Sequence, residues 1–178
     1  MAGAKEFDRE GLVERLLGFD EEVGVRFPEM NYELLLVGGG ALILLGVVDR
    51  PTTDLDAVSF PIGLTELMRR YDISTRATSH ESRIPYNRDD RRVRLDIPTE
   101  HGICYAASLE DLVASKLCSS RDQDAEDVRN AGVLAELDWS RLAEIALEMP
   151  LNCMNKRELG EFDHNYHSYL EEFGPCAG

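Results

Sequence analysis

Apolar positions along the chain change their period several times, and each change marks an element. Between residues 6 and 19, Phe7, Leu12, Val13, Leu16 and Leu17 fall near helical spacing and predict an amphipathic helix. Glu21 to Met30 loses that period and reads as a connector closed by Pro28. Tyr32 to Val37 is a largely apolar run of strand length, the pattern of a central strand. Three glycines, Gly38, Gly39 and Gly40, then allow a sharp turn into a short apolar helix from Ala41 to about Leu45, with Gly46 as its cap. A second strand opens on Asp54-Leu55-Asp56 and runs to Phe60.

Pro61 starts a helix that reaches Arg70, and Tyr71 to Arg76 reads as a strand. Ile84 to Tyr86 and Arg91 to Ile97 read as strands joined by a turn at Asn87 to Asp90. In the second of these, Val93, Leu95 and Ile97 form one face and Arg94 and Asp96 the other. His101 to Ala106 is a further short strand. From Ser108 onward the period is helical: a Ser108-capped helix with the stripe Leu109, Leu112, Val113 and position 116, a helix from Arg121 past Val128, another from Trp139 to Leu147, a break at Pro150, and a polar helix from Asn155 to Phe173. The order predicts an α/β (α+β) fold: a small mixed sheet flanked by helices over residues 1–107, with a helical part over residues 108–178 packed on it.

Composition narrows the function classes. The 178 residues are 43% hydrophobic, enough for a well-formed core, and no run is apolar enough to span a membrane. The opening MAGAKEFDREG has no apolar leader pattern, so a cytoplasmic protein is expected. Cys104, Cys118, Cys153 and Cys176 show no CxxC spacing and read as free thiols. A net charge of −15 argues against indiscriminate nucleic-acid binding. Eight arginines nevertheless lie between residues 69 and 94, opposed there by only four acids, and such a zone suits either a triphosphate or RNA end, or a solvated strand pair.

Three groups of polar residues carry candidate chemistry. Asp54 and Asp56 point the same way from one strand, where two aspartates repel each other and form strand poorly, so a divalent cation is the natural compensation. Lys116 occupies a buried register position, which is costly unless it snorkels or meets a charge. Asp124 and Asp127 share a helix face at i and i+3, again favouring a cation or an arginine. His164 and His167, with Asp163, have the spacing of a metal pair, which on an acidic surface helix is more often coincidence. A dinucleotide fingerprint fails because Ile43 stands where glycine is required, and no Gly-Lys-Ser/Thr is present for a P-loop.

The strand, the Gly-Gly turn, the helix and the Thr52-x-Asp54-x-Asp56 motif together resemble the nucleotidyltransferase superfamily, with the closest likeness to the small AbiEii-like proteins, many of them toxin halves of toxin–antitoxin pairs. Asp111-Leu112-x-x-x-Lys116-Leu117 and Arg121-x-x-Asp124-x-x-Asp127 match further motifs of that group in the same order. The resemblance implies metal-dependent transfer of an NMP from an NTP to an acceptor hydroxyl, on tRNA, another RNA or a protein, with a cognate antitoxin as a further partner. It implies Asp54, Asp56 and Asp96 as the carboxylates for Mg²⁺ or Mn²⁺, Asp96 standing adjacent in space to the other two. Gly38, Gly39, Gly40, Arg50, Thr53, Arg121, Asp124 and Asp127 would line the nucleotide site, and Lys116 would reach its phosphates. Where the wider superfamily usually has Gly-Ser, this chain has Gly39-Gly40, and many AbiEii-like proteins also lack that serine. The alternative is a catalytically weak module that binds a nucleotide or a partner protein.

Overall fold

The computed structural model describes residues 6–77, 83–153 and 155–175. The chain divides into two units, one formed by Met1–Ser79 with Arg92–Ala107 and the other by His80–Arg91 with Ser108–Gly178.

In the first unit, strand β1 (Tyr32–Val37) is the centre of a mixed five-stranded sheet with β2 (Leu55–Ser59), β3 (Ile73–Ser74), β4 (Val93–Arg94) and β5 (Gly102–Ala106), in the order β3-β2-β1-β5-β4. β1 runs antiparallel to β2 and parallel to β5, and β2 runs parallel to β3. Every β1 residue but Glu33 is buried, as its apolar run requires of a strand covered on both faces. Helix α1 (Arg9–Arg26) is longer than the periodic stretch that announced it: Leu12, Leu16, Phe19 and Val23 continue one buried face at helical spacing, with Asp20 on the same side. Buried Asp20 accepts hydrogen bonds from the Tyr32 hydroxyl at 2.9 Å, the Glu100 N–H at 2.7 Å and the His101 N–H at 3.1 Å. That carboxylate ties α1 to the central strand and to the loop entering β5. The remaining helices of this unit are α2 (Gly38–Leu44) and α3 (Thr65–Arg70).

The second unit is helical: α4 (Leu109–Leu117), α5 (Asp122–Val128), α6 (Ala131–Glu136), α7 (Trp139–Asn152) and α8 (Lys156–Phe173). Ser108 caps α4 by accepting from the Asp111 N–H at 3.1 Å, and its hydroxyl donates to the Asp111 carboxylate at 2.8 Å. Arg91 closes on the same fully buried carboxylate with two hydrogen bonds, 3.1 and 2.8 Å. Leu112, Val113 and Leu117 of α4 and Leu142, Ile145 and Met149 of α7 supply much of the core.

Several local expectations are corrected. Ile84 to Tyr86 is not a strand; a 3₁₀ helix covers Tyr86–Asp90, and Ile84 is buried. Arg91 to Ile97 narrows to a two-residue strand with Val93 40% exposed, since β4 is an edge strand paired only to β5. Tyr71 to Arg76 likewise shortens to Ile73–Ser74. The glycines are themselves the first turn of α2 rather than a loop before it. Pro150 does not end α7: the helix runs two residues past it to Asn152, without the bond that an N–H at position 150 would have made to the Ala146 carbonyl. The arginine-rich zone is not one patch: Arg70, Arg83, Arg91 and Arg92 are held by Glu22, Glu158, Asp111 and Glu33. Cys104, Cys118 and Cys153 are buried free thiols, and Cys176 lies outside the described residues. Among the described residues no helix is long and apolar enough to cross a membrane.

Candidate active site

The antiparallel register pairs Val37, the last residue of β1, with Asp56 of β2. The chain therefore turns into α2 beside the point where β2 begins. Gly38 makes this turn with φ +72°, and a Cβ there would stand 3.0 Å from the Asp56 Oδ2. Glycine is needed twice over at this position, for the left-handed backbone and for the room taken by the carboxylate. A Cβ on Gly40 would meet Leu55 Cδ1 at 2.7 Å and the Asp54 carbonyl at 3.2 Å, so the glycine turn and the start of β2 approach backbone to backbone. Over Gly39 lies the Arg50 guanidinium, with Nη2 2.5 Å from where a Cβ would be.

The approach to β2 is held from α1's side. Phe7 and Thr52 exchange backbone hydrogen bonds of 2.7 and 2.9 Å. The Thr52 hydroxyl donates toward the Asp54 carbonyl at 3.3 Å and its Oδ1 at 3.4 Å. Thr53 and Asp54 are exposed, and Asp56 is half-buried. Gly38, Gly39, Gly40, Arg50, Thr53, Asp54 and Asp56 are thus gathered at one end of the sheet.

A further residue, not singled out from the sequence, joins them. β3 pairs with β2 in parallel, Leu55 with Ile73 and Asp56 with Ser74, which brings Asp72 level with Asp54. Asp72 carries φ +51°. Its carboxylate meets Arg15 Nη2 at 3.5 Å, and its carbonyl accepts from Arg15 Nη1 at 3.3 Å. Arg15 is buried, with its guanidinium 3.5 Å from the Phe7 ring centroid. Burial lowers the Arg15 pKa, against the pull of Asp72 and Asp54. Asp54 and Asp72 line one cleft of about 340 Å³ together with Arg69, Ser74, Thr75 and Arg76. The signal that could have found Asp72 is an acid at the mouth of a strand, Tyr71-Asp72-Ile73, one short helix after the Asp54-x-Asp56 strand.

Asp96 does not stand beside Asp54 and Asp56. It follows Leu95, whose N–H still donates to the Cys104 carbonyl of β5 at 2.9 Å, and the sheet order puts β1 and β5 between β2 and β4. At about 4.8 Å per strand, Asp96 is offset from Asp56 by roughly 14 Å across the sheet. Among the described residues no group of three or more histidine, cysteine or acidic side chains is placed to hold a metal ion, His164 and His167 included. Asp54 and Asp56 alone still fit Mg²⁺, a hard cation commonly held by one or two carboxylates plus waters and phosphate oxygens.

In the helical unit, Lys116 is 8% exposed and does not snorkel. Its Nζ lies 2.6 Å from Asp124 Oδ1 and 2.8 Å from Asp127 Oδ2. Gln123 donates to Asp127 Oδ1 at 3.2 Å, and exposed Arg121 stands 3.9 Å from Asp124 Oδ2. Burial would raise the Asp124 pKa, but the Lys116 charge and hydrogen bond, with Ser119 and Arg121, hold it below the usual value. The cation sought by Asp124 and Asp127 is therefore the lysine eight residues before the first of them.

A family described as "Nucleotidyltransferase of unknown function (DUF6036)" covers residues 14–173. No curated protein and no solved structure matches the chain. Since the match spans both units nearly end to end, the chain belongs to this nucleotidyltransferase family of unknown function.

Proposed function

We propose that the protein transfers an NMP from an NTP to an acceptor hydroxyl at the Asp54–Asp56 end of the sheet. The observation that carries this is the seating of Asp56 against Gly38, so close that a Cβ at position 38 would stand 3.0 Å from the Asp56 Oδ2. It sets a carboxylate against the first turn of α2, whose N–H groups have no partner within the helix. Asp54 and Asp56 would hold Mg²⁺ or Mn²⁺, which supplies charge neutralisation for the triphosphate. Gly39, Gly40 and Arg50 would bind phosphate oxygens, and Thr53 lies at the edge of the same group. The acceptor oxygen forms a bond to the α-phosphorus as the bond from that phosphorus to the bridging oxygen breaks. Pyrophosphate leaves with the electron pair, and the acceptor proton passes to a carboxylate of the cleft, Asp54 or Asp72, and on to water.

Incubation with each labelled NTP, Mg²⁺ and total RNA or protein tests this. Label transfer by wild type and its loss in Asp54→Asn is the expected result. A toxin role follows from the AbiEii-like resemblance; it predicts growth arrest on expression that Asp54→Asn abolishes. The second reading, a nucleotide-binding module without turnover, is favoured by the distance of Asp96 from Asp54 and Asp56, since β1 and β5 lie between β2 and β4. Binding of Mg-NTP with no transfer to any acceptor class would establish it instead.

A further inference from the structure

At the opposite end of β1 from the glycine turn, α1 and the loop entering β5 enclose a second cleft of the first unit, about 440 Å³ in volume. Its walls are held in place from below. Asp20 of α1 accepts from the Glu100 and His101 N–H groups, and the His101 carbonyl accepts from the Tyr32 N–H at 3.2 Å. The His101 ring lies on Gly24, where a Cβ would collide with its Nε2, so only glycine lets the loop close on α1. A cleft whose walls are already fixed gives up little freedom when a ligand enters.

The charge on this lining has one sign. Asp20, Glu21 and Glu100 contribute carboxylates, and among the described residues no lysine or arginine lines the cleft. Asp20 is the decisive member, because it is 4% exposed and its hydrogen bonds come from a tyrosine hydroxyl and two backbone N–H groups, all neutral. Those bonds satisfy its lone pairs and leave its charge uncompensated. Among the described residues it has no ion pair, nor have Glu21 and Glu100 at the exposed rim. A buried carboxylate is normally matched by a cation. The carboxylates are not grouped to hold a metal ion, and the other walls, Leu17, Val25 and Pro98, are apolar. Acids above apolar walls suit an organic cation on a hydrocarbon stem. Arginine has that stem, and its planar fork binds carboxylate oxygens in pairs. Val25, 78% exposed, and Pro98 extend the apolar surface to the rim, where a polypeptide covers them and a free amino acid does not. The net charge of −15 draws a basic chain toward the cleft and opposes a second copy.

We infer that this cleft is a docking site for an arginine side chain presented by a basic partner polypeptide. The inference is independent of the proposed nucleotidyl transfer. Calorimetry on the full chain tests it with a blocked pentapeptide carrying one arginine between leucines, the same peptide with neutral citrulline in its place, free arginine amide, and spermidine. Wild type should bind the arginine peptide best and the citrulline peptide about tenfold or more weakly, the scale of lost charge-assisted hydrogen bonds. Glu21→Gln/Glu100→Gln should weaken the arginine peptide by a similar factor. Both glutamates are exposed, so an unchanged thermal midpoint is the control for folding. Val25→Ser should weaken the arginine peptide and leave arginine amide unaffected, since the rim touches only the polypeptide. Equal affinity for the arginine and citrulline peptides would overturn the assignment by removing the charge from it. Equal arginine-peptide affinity in wild type and the glutamine variant would overturn it by moving the site elsewhere. Tighter binding of spermidine or arginine amide than of the peptide would replace the polypeptide with a small cation, and no binding of the arginine peptide at millimolar concentration would defeat the docking site itself.

Discussion

Asp54 and Asp72 stand level with each other at the entrances of two adjacent parallel strands and face one cleft. Both are exposed and both attract buried Arg15, which Asp72 meets at 3.5 Å, but Asp54 lies two residues from Asp56, beside the glycine turn. The two carboxylates therefore differ in what they can bind, although their strand positions are equivalent.

The Asp54–Asp56 pair should respond to a divalent cation. Mg²⁺ or Mn²⁺ in the presence of NTP should raise the thermal midpoint, since a ligand at a hundred times its Kd adds about 2.7 kcal/mol to stability. Asp56→Asn should remove the rise while leaving the fold intact. A scan with no shift at millimolar metal and nucleotide would count against the ion site, and an Asp56→Asn protein that fails to fold would make that carboxylate structural.

Gly38→Ala probes the geometry behind the same site. An alanine at φ +72° costs roughly 1–2 kcal/mol, and its Cβ would press on the Asp56 carboxylate. Lower stability together with a diminished metal-induced shift is expected from paired thermal scans. Gly46→Ala, also at positive φ but with no neighbour within 4 Å, should lower stability and leave the metal-induced shift at its wild-type size.

Lys116→Met separates a structural lysine from a dispensable one. It leaves Asp124 and Asp127 buried without their cation, a loss of about 3–5 kcal/mol for a broken buried pair. Urea unfolding measures it. Adding Asp124→Asn and Asp127→Asn to Lys116→Met should restore part of the loss, because the uncompensated charges go with the lysine. A neutral or stabilising Lys116→Met would show that the ion pairs contribute nothing net.

Acid should weaken the same cluster. The Asp124 pKa is lowered in the folded protein, from an unfolded value near 3.9. Its contribution is present above the unfolded value and is lost as pH falls through the folded one. Urea midpoints between about pH 3 and pH 6 should fall more steeply below about pH 4 for wild type than for Asp124→Asn. Parallel curves would remove Asp124 from the acid response.

Much of the fold was legible because it depends on local pattern. The buried run Tyr32–Val37, the glycine turn, the Asp54-x-Asp56 strand and the helix beginning at Ser108 all follow from period, turn chemistry and capping, which act over a few residues. Lys116 was recognisable as anomalous from its register alone. The short strands were not legible, since Ile73–Ser74 and Val93–Arg94 hold their conformation by pairing with β2 and β5 rather than by their own composition.

The sequence by itself determined which residues could carry chemistry: two aspartates on one strand face, three glycines before them, a lysine in a core position and two acids sharing a helix face. Which of these meet was decided by strand order and helix packing. Asp96 has the same strand-face pattern as a site carboxylate, yet β4 joins the sheet through β5, on the far side of β1 from β2. Asp72 has a weaker pattern, yet parallel pairing sets it beside Asp54. Lys116 was expected to reach a phosphate, and the packing of α5 on α4 sets its ammonium against two carboxylates. Period and spacing are properties of neighbours along the chain. Adjacency across a sheet depends on pairings between residues tens of positions apart, which local pattern does not encode.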